Sequence, residues 1–201
     1  MKTVAVLLRD DILNNKEIYC ISKNLFLNLK DKVKVKLIIH DNYNNFDELI
    51  NDIYSCDGLI LPGGDDIYNI ELKIVSYLYE KNFPILGICL GMQTMAVSIN
   101  GKMATLNTLE HKKEDKYVHE IEINKDSKLY EILKKDKIMV NSRHKDYIIN
   151  TDLLIGAISD DNVIEEVEDK SKKFFIGLQW HPEDLFDENA NKIFNAFIAS
   201  L

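Results

Sequence analysis

Short apolar runs that alternate with helical periodicity restrict this chain more than any other feature. The runs are residues 3–8, 33–39, 58–61 and 85–88. Between them lie helical stripes: Ile18, Ile21, Leu25 and Leu29 within 12–29, Phe46, Leu49, Ile50 and Ile53 within 45–53, and Leu72, Val75 and Leu78 or Tyr79 within 70–81. Strands that are apolar on both faces and alternate with helices predict a parallel sheet covered on both sides. Ligands of such sheets gather outside the carboxyl ends of the strands. Two of those ends are unusual. Residues 58–61 stop at Pro62-Gly63-Gly64-Asp65-Asp66, a strong turn signal, and residues 85–88 run straight into Cys89.

Cys89 sits where a strand gives way to a helix, because Met92, Met95, Ala96 and Ile99 follow at helical spacing. Gly87 and Gly91 flank it two residues away on each side. That pattern is the nucleophile elbow, a sharp turn that pushes one side chain out of the sheet. A thiol there also feels the positive end of a helix dipole, which favours thiolate. A cysteine beside an apolar strand is equally at home in a core, so the rest of the chain has to decide.

Beyond about residue 100 the pattern changes. Residues 117–123 alternate, and 138–140, 153–158, 163–167 and 174–178 read as further strands, with hairpin-like turns at 159–162 and 169–171. Residues 112–116 form a mixed-charge loop, and 187–201 a closing helix with Ile193, Phe194, Phe197 and Ile198 inward. The expected fold is α/β: a mostly parallel central sheet flanked by helices, with an additional small antiparallel β layer. At 201 residues, without a linker or repeat, the chain reads as one domain. A net charge of −8 argues against nucleic-acid binding, and no stretch approaches transmembrane length. Three scattered cysteines and no apolar leader suggest a reducing, cytoplasmic setting.

Gln179-Trp180-His181-Pro182-Glu183 supplies the second half of a possible site. Residues i and i+2 of an extended chain point the same way, roughly 6.5–7 Å apart. Glu183 can then accept a hydrogen bond from one ring nitrogen of His181, leaving the other to take a proton from a thiol. Nucleophile, base and orienter are the parts that covalent acyl transfer needs. The five histidines look scattered, so no metal constellation is expected, and Pro62-Gly63-Gly64 lacks the Lys-Ser/Thr of a phosphate loop. No cofactor is implied.

Gly87-Ile88-Cys89-Leu90-Gly91-Met92-Gln93 together with the 179–183 motif resembles class I glutamine amidotransferase domains. Within that superfamily the chain is similar to the γ-glutamyl hydrolase (peptidase C26) branch, which includes γ-glutamyl-γ-aminobutyrate hydrolases. Residues 57–66, Val140-Asn141-Ser142-Arg143-His144 and Asp161-Asn162-Val163-Ile164-Glu165 carry the same likeness. The resemblance implies a flavodoxin-like fold and a glutaminase-like chemistry. Cys89 would attack a γ-glutamyl amide, His181 would act as base and then acid, and Glu183 would orient it. The N–H groups of Leu90 and Gly64 would form the oxyanion hole. Gln93 and the backbone around Ser142, Arg143 and His144 would hold the glutamyl amino and carboxylate groups.

Departures from the branch concern the leaving group. Leu90 stands where Arg is common, Lys145 and Asp146 follow His144, and the link from Gly64 to Ile70 is short. The short link suggests an open amine side of the pocket, with Lys145 and Asp146 near its mouth. Three readings follow: a stand-alone γ-glutamyl amide hydrolase, a glutaminase subunit that delivers ammonia to a synthetase partner, and a non-catalytic binding protein of the same fold. The resemblance also leaves room for a homodimer.

Overall fold

The computed structural model describes residues 1–201. β1 (Thr3–Leu7) leads into a hairpin of β2 (Arg9–Leu13) and β3 (Lys16–Cys20), then α1 (Lys23–Leu29) and β4 (Lys34–Ile38). α2 (Phe46–Tyr54), β5 (Gly58–Leu61), α3 (Asn69–Glu80), β6 (Ile85–Ile88) and α4 (Leu90–Ser98) complete the first half. The second half runs β7 (Lys102–Thr105), β8 (His119–Ile123), α5 (Lys128–Leu133), β9 (Lys137–Val140), β10 (Asp146–Asn150), β11 (Leu154–Ser159), β12 (Ile164–Glu168), β13 (Phe175–Leu178) and α6 (Glu188–Ala199).

Nine strands form one sheet in the order β4-β1-β5-β6-β13-β12-β11-β8-β9. The pairings from β4 to β13 are parallel, and those from β13 to β9 are antiparallel. The fold class is as expected: a parallel core flanked by helices, with small antiparallel sheets. The difference lies in placement, because most antiparallel strands extend the main sheet and only β2–β3 and β7–β10 form separate ribbons. Alternate residues of each central strand face opposite cores, as the strand period requires. Val4, Val6, Ile60 and Ile88 pack with Leu25, Leu29, Trp180 and Phe194 on one side. Ala5, Leu7, Leu59 and Leu61 pack with Leu49, Ile74, Met92 and Met95 on the other.

The predicted helix over residues 12–29 is a hairpin followed by a shorter helix. Asn14 and Asn15 both take positive φ, 53° and 61°, between the paired residues Leu13 and Lys16. That is the two-residue turn whose handedness matches strand twist, and asparagine tolerates it well. Only Leu25 and Leu29 of the predicted stripe belong to α1, where Ser22 caps the first turn. β7 and β10 escape the sequence reading because each is partly exposed and lacks a continuous apolar run along its length, and α5 because it has only six residues.

Candidate active site

β6 ends at Cys89 and α4 begins at Leu90, so the thiol stands on the corner between them. Cys89 has φ 51° and ψ −108°, a backbone conformation that L-residues rarely adopt. The main chain is held there from outside: Cys89 N–H donates to Leu178 O at 2.7 Å, and Gln93 N–H to Cys89 O at 3.1 Å. Gly91 lets α4 settle directly on β5, since a Cβ at that position would overlap Leu61 O. Burial all along one end of α4, from Leu90 to Ala96, follows from the same close approach.

β13 is the parallel neighbour of β6, with Leu178 in register with Ile88. The chain beyond it therefore delivers His181 to the same rim as Cys89. The two-residue spacing to Glu183 is spanned by a 3₁₀ turn at Pro182–Asp184 rather than by the extended chain expected from sequence. His181 Nδ1–H donates to Glu183 Oε1 at 2.8 Å. Asn141 fixes the main chain beneath the ring, accepting from His181 N–H and donating to His181 O, both at 2.8 Å. Burial alone would pull the His181 pKa down, but Glu183 and the facing Cys89 sulfur raise it well above the ordinary histidine value.

Gly63 lies over both groups. A Cβ there would stand 2.9 Å from the His181 ring and 3.5 Å from Cys89 Cβ. Gly64 neighbours Leu90, where a Cβ would meet Leu90 Cδ2 at 3.1 Å. The turn is anchored by Arg9, a residue without a role in the sequence reading. Its Nε and Nη2 donate to Pro62 O at 3.2 and 3.1 Å, and its Nη1 pairs with the buried Glu71. Gln179 is a second omission. Its Nε2 lies 3.7 Å from Cys89 Sγ, and its Oε1 accepts from Gln93 Nε2, which also donates to Asp146 O. A signal for Gln179 existed in the 179–183 motif, whereas Asn141 looked like an ordinary turn residue.

The proposed glutamyl-binding segment is close by, but its side chains have internal partners. Ser142 Oγ donates to His111 O at 2.7 Å, and Arg143 pairs with Asp184. His144 is buried beside His111. The Ser142 carbonyl and His144 N–H are taken by Lys113 and His111, while the Ser142 and Arg143 N–H groups have no main-chain acceptor. The histidines are not scattered: His111, His119 and His144 converge on the fully buried Glu165. The β2–β3 hairpin stands beside the short 64–70 link, with an acidic cleft between them. Tyr68 Oη donates to Asp10 Oδ2 at 2.7 Å, closing one wall of a cleft that also contains Asp11, Glu17, Asp41, Asp65 and Asp66. Lys145 and Asp146 do not line this cleft; they run into the β7–β10 ribbon.

A glutamine amidotransferase-like protein of Rickettsia prowazekii is 27% identical, with 79% of each chain aligned. The glutamine-hydrolysing GMP synthase of Francisella tularensis subsp. novicida is 30% identical across 74% of this chain, which spans 28% of that protein. Among solved structures, a GMP synthase subunit from Thermoplasma acidophilum superposes with a TM-score of 0.75 at 23% identity, covering 100% of this chain and 94% of the other. The glutaminase domain of Trypanosoma brucei CTPS, with acivicin bound, gives 0.71 at 17% identity, over 99% and 94%. These likenesses place the fold among glutamine amidotransferase-like proteins, a superfamily of amide hydrolases. The family model of peptidase C26 matches residues 68–183, and the chain belongs to that family.

Proposed function

We propose that the protein hydrolyses γ-glutamyl amides through a glutamyl-thioester on Cys89. One observation carries this reading: a thiol at a positive-φ strand–helix corner faces an imidazole whose other nitrogen is fixed by a carboxylate at 2.8 Å. The Cys89 thiolate adds to the amide carbonyl carbon. The N–H groups of Leu90 and Gly64 receive the developing oxyanion, where such donors are worth roughly 3–4 kcal/mol each. His181 passes its Nε2 proton to the amine nitrogen as the C–N bond breaks. It then takes a proton from water as that water attacks the thioester, and glutamate leaves with Cys89 restored as thiolate. Gln93 and the free N–H groups of Ser142 and Arg143 hold the α-amino and α-carboxylate ends.

A second reading has specific support in the relatives. A glutamine-hydrolysing GMP synthase resembles this chain over only 28% of its length, so the domain could feed ammonia to a separate synthetase. Rates for γ-glutamyl amides compared with matched α-glutamyl and β-aspartyl amides test the first reading. Cleavage confined to the γ-glutamyl series by the chain alone is expected. Equal rates across the three acyl groups would contradict it. Silence alone with cleavage in the presence of a synthetase would favour the second reading.

A further inference from the structure

The convergence of three imidazoles on one buried carboxylate lies outside the chemistry proposed for Cys89. We propose that His111, His119 and Glu165, with His144 packed beside them, form a site for a divalent transition ion of the zinc class. Glu165 Oε1 lies 3.1 Å from His119 Nε2, 3.4 Å from His111 Nδ1 and 3.6 Å from His144 Nε2. His111 Nδ1 and His144 Nε2 are themselves 3.2 Å apart. A tetrahedral zinc with ordinary Zn–N and Zn–O bonds sets its ligand atoms roughly 3.3 Å from one another. These four of the six separations bracket that value, and His111, His119 and Glu165 hold their ligand atoms within 4.8 Å of one another, a set that His144 does not join.

The outer contacts also fit. A metal-bound histidine usually donates its other ring N–H to a carboxylate or carbonyl, which fixes the tautomer. His111 Nε2 is 2.9 Å from Asp161 Oδ2, and His144 Nδ1 is 3.0 Å from Asp146 O. Each of these contacts leaves the inward nitrogen with its lone pair toward Glu165. Asp161 is held in turn by Ser159 Oγ at 2.5 Å. At the centre, both Glu165 oxygens and His119 Nε2 are buried without a directed hydrogen bond. Leaving buried polar atoms unsatisfied is costly, and a cation would satisfy all three together. Imidazole and carboxylate ligands suit zinc and its neighbours rather than calcium or magnesium.

The ligands come from three separate places, the loop between β7 and β8, β8 itself and β12, and His144 adds the segment after β9 beside them. An ion there would tie the 106–118 loop and the Ser142–His144 segment to the main sheet. The link to Cys89 is indirect, through Asp146 O, Gln93 and Gln179.

The test titrates the purified, chelator-treated chain with Zn²⁺ against a chromophoric chelator, and separately records Co²⁺ absorption. A Cys89→Ala/His181→Ala variant removes the thiol and imidazole of the candidate active site as a competing metal site. The expected result is one ion per chain in wild type and in that variant, with a four-coordinate Co²⁺ spectrum and a Zn²⁺-dependent rise in melting temperature. His119→Ala, at a half-buried position, should lose both the binding and the thermal shift. Asp161→Asn, which is half-exposed and should fold normally, should weaken binding by roughly 10–100-fold. No stoichiometric ion in folded wild type, or binding that survives His119→Ala but disappears in the Cys89/His181 variant, would overturn the proposal.

Discussion

At the scale of single residues, His181 is governed by competing influences that can be separated. Burial disfavours its charge, and Glu183 and Cys89 more than offset this, holding the ring protonated well above the usual range. Attack needs thiolate with imidazolium, so kcat/KM should fall as pH rises through that elevated value. Glu183→Gln removes the charge that raises it and leaves the burial that lowers it. The alkaline limb of the pH–rate profile should therefore move to lower pH, and an unmoved limb would assign Glu183 another role. His181→Ala should cost more, roughly 10²–10⁴-fold, because it removes the proton carrier itself. The residues in this pair were legible in sequence, since two short motifs carry them. Arg9, Asn141 and the histidine cluster were not, because their partners lie 53 and 40 positions away and, for the cluster, 21–54 positions from Glu165.

Among the elements, α4 has the least room to move. It lies against β5, β6 and β13, and Gly91 is the point where its backbone meets Leu61 O. Gly91→Ala should destabilise the fold by about 2 kcal/mol or more, measured by denaturant unfolding, since backbone on backbone cannot be relieved by a rotamer change. A loss below about 0.5 kcal/mol would mean that the helix is less tightly seated. Strands β1, β5 and β6 were readable because each is buried on both faces, and the edge strand β4 because Val33, Val35 and Leu37 alternate with lysines. The β2–β3 hairpin was not. Its alternation is weak, with Ile12, Leu13 and Tyr19 exposed, and the apolar spacing of Ile18 and Ile21 imitates a helix. The hairpin and the 64–70 link together wall the acidic cleft.

Across the whole molecule, charge is distributed unevenly around the site. The cleft beside Gly64 carries Asp10, Asp11, Glu17, Asp41, Asp65 and Asp66, while its one cation, Arg9, is paired with Glu71. If the leaving amine occupies this cleft, an anionic group such as γ-aminobutyrate should be disfavoured relative to a neutral or cationic amine. γ-Glutamyl conjugates of a diamine and of γ-aminobutyrate should differ in kcat/KM in the diamine's favour, and salt should narrow the gap. A preference for the aminobutyrate conjugate would place the amine elsewhere. The central claim concerns Cys89, and intact-mass measurement of the acid-quenched chain during turnover of a γ-glutamyl amide, with glutamate release followed in parallel, tests it most directly. The account predicts a glutamyl adduct mapping to Cys89, steady glutamate release, and loss of both in Cys89→Ala while Cys20→Ser and Cys56→Ser retain them. Glutamate release that persists in folded Cys89→Ala would contradict it.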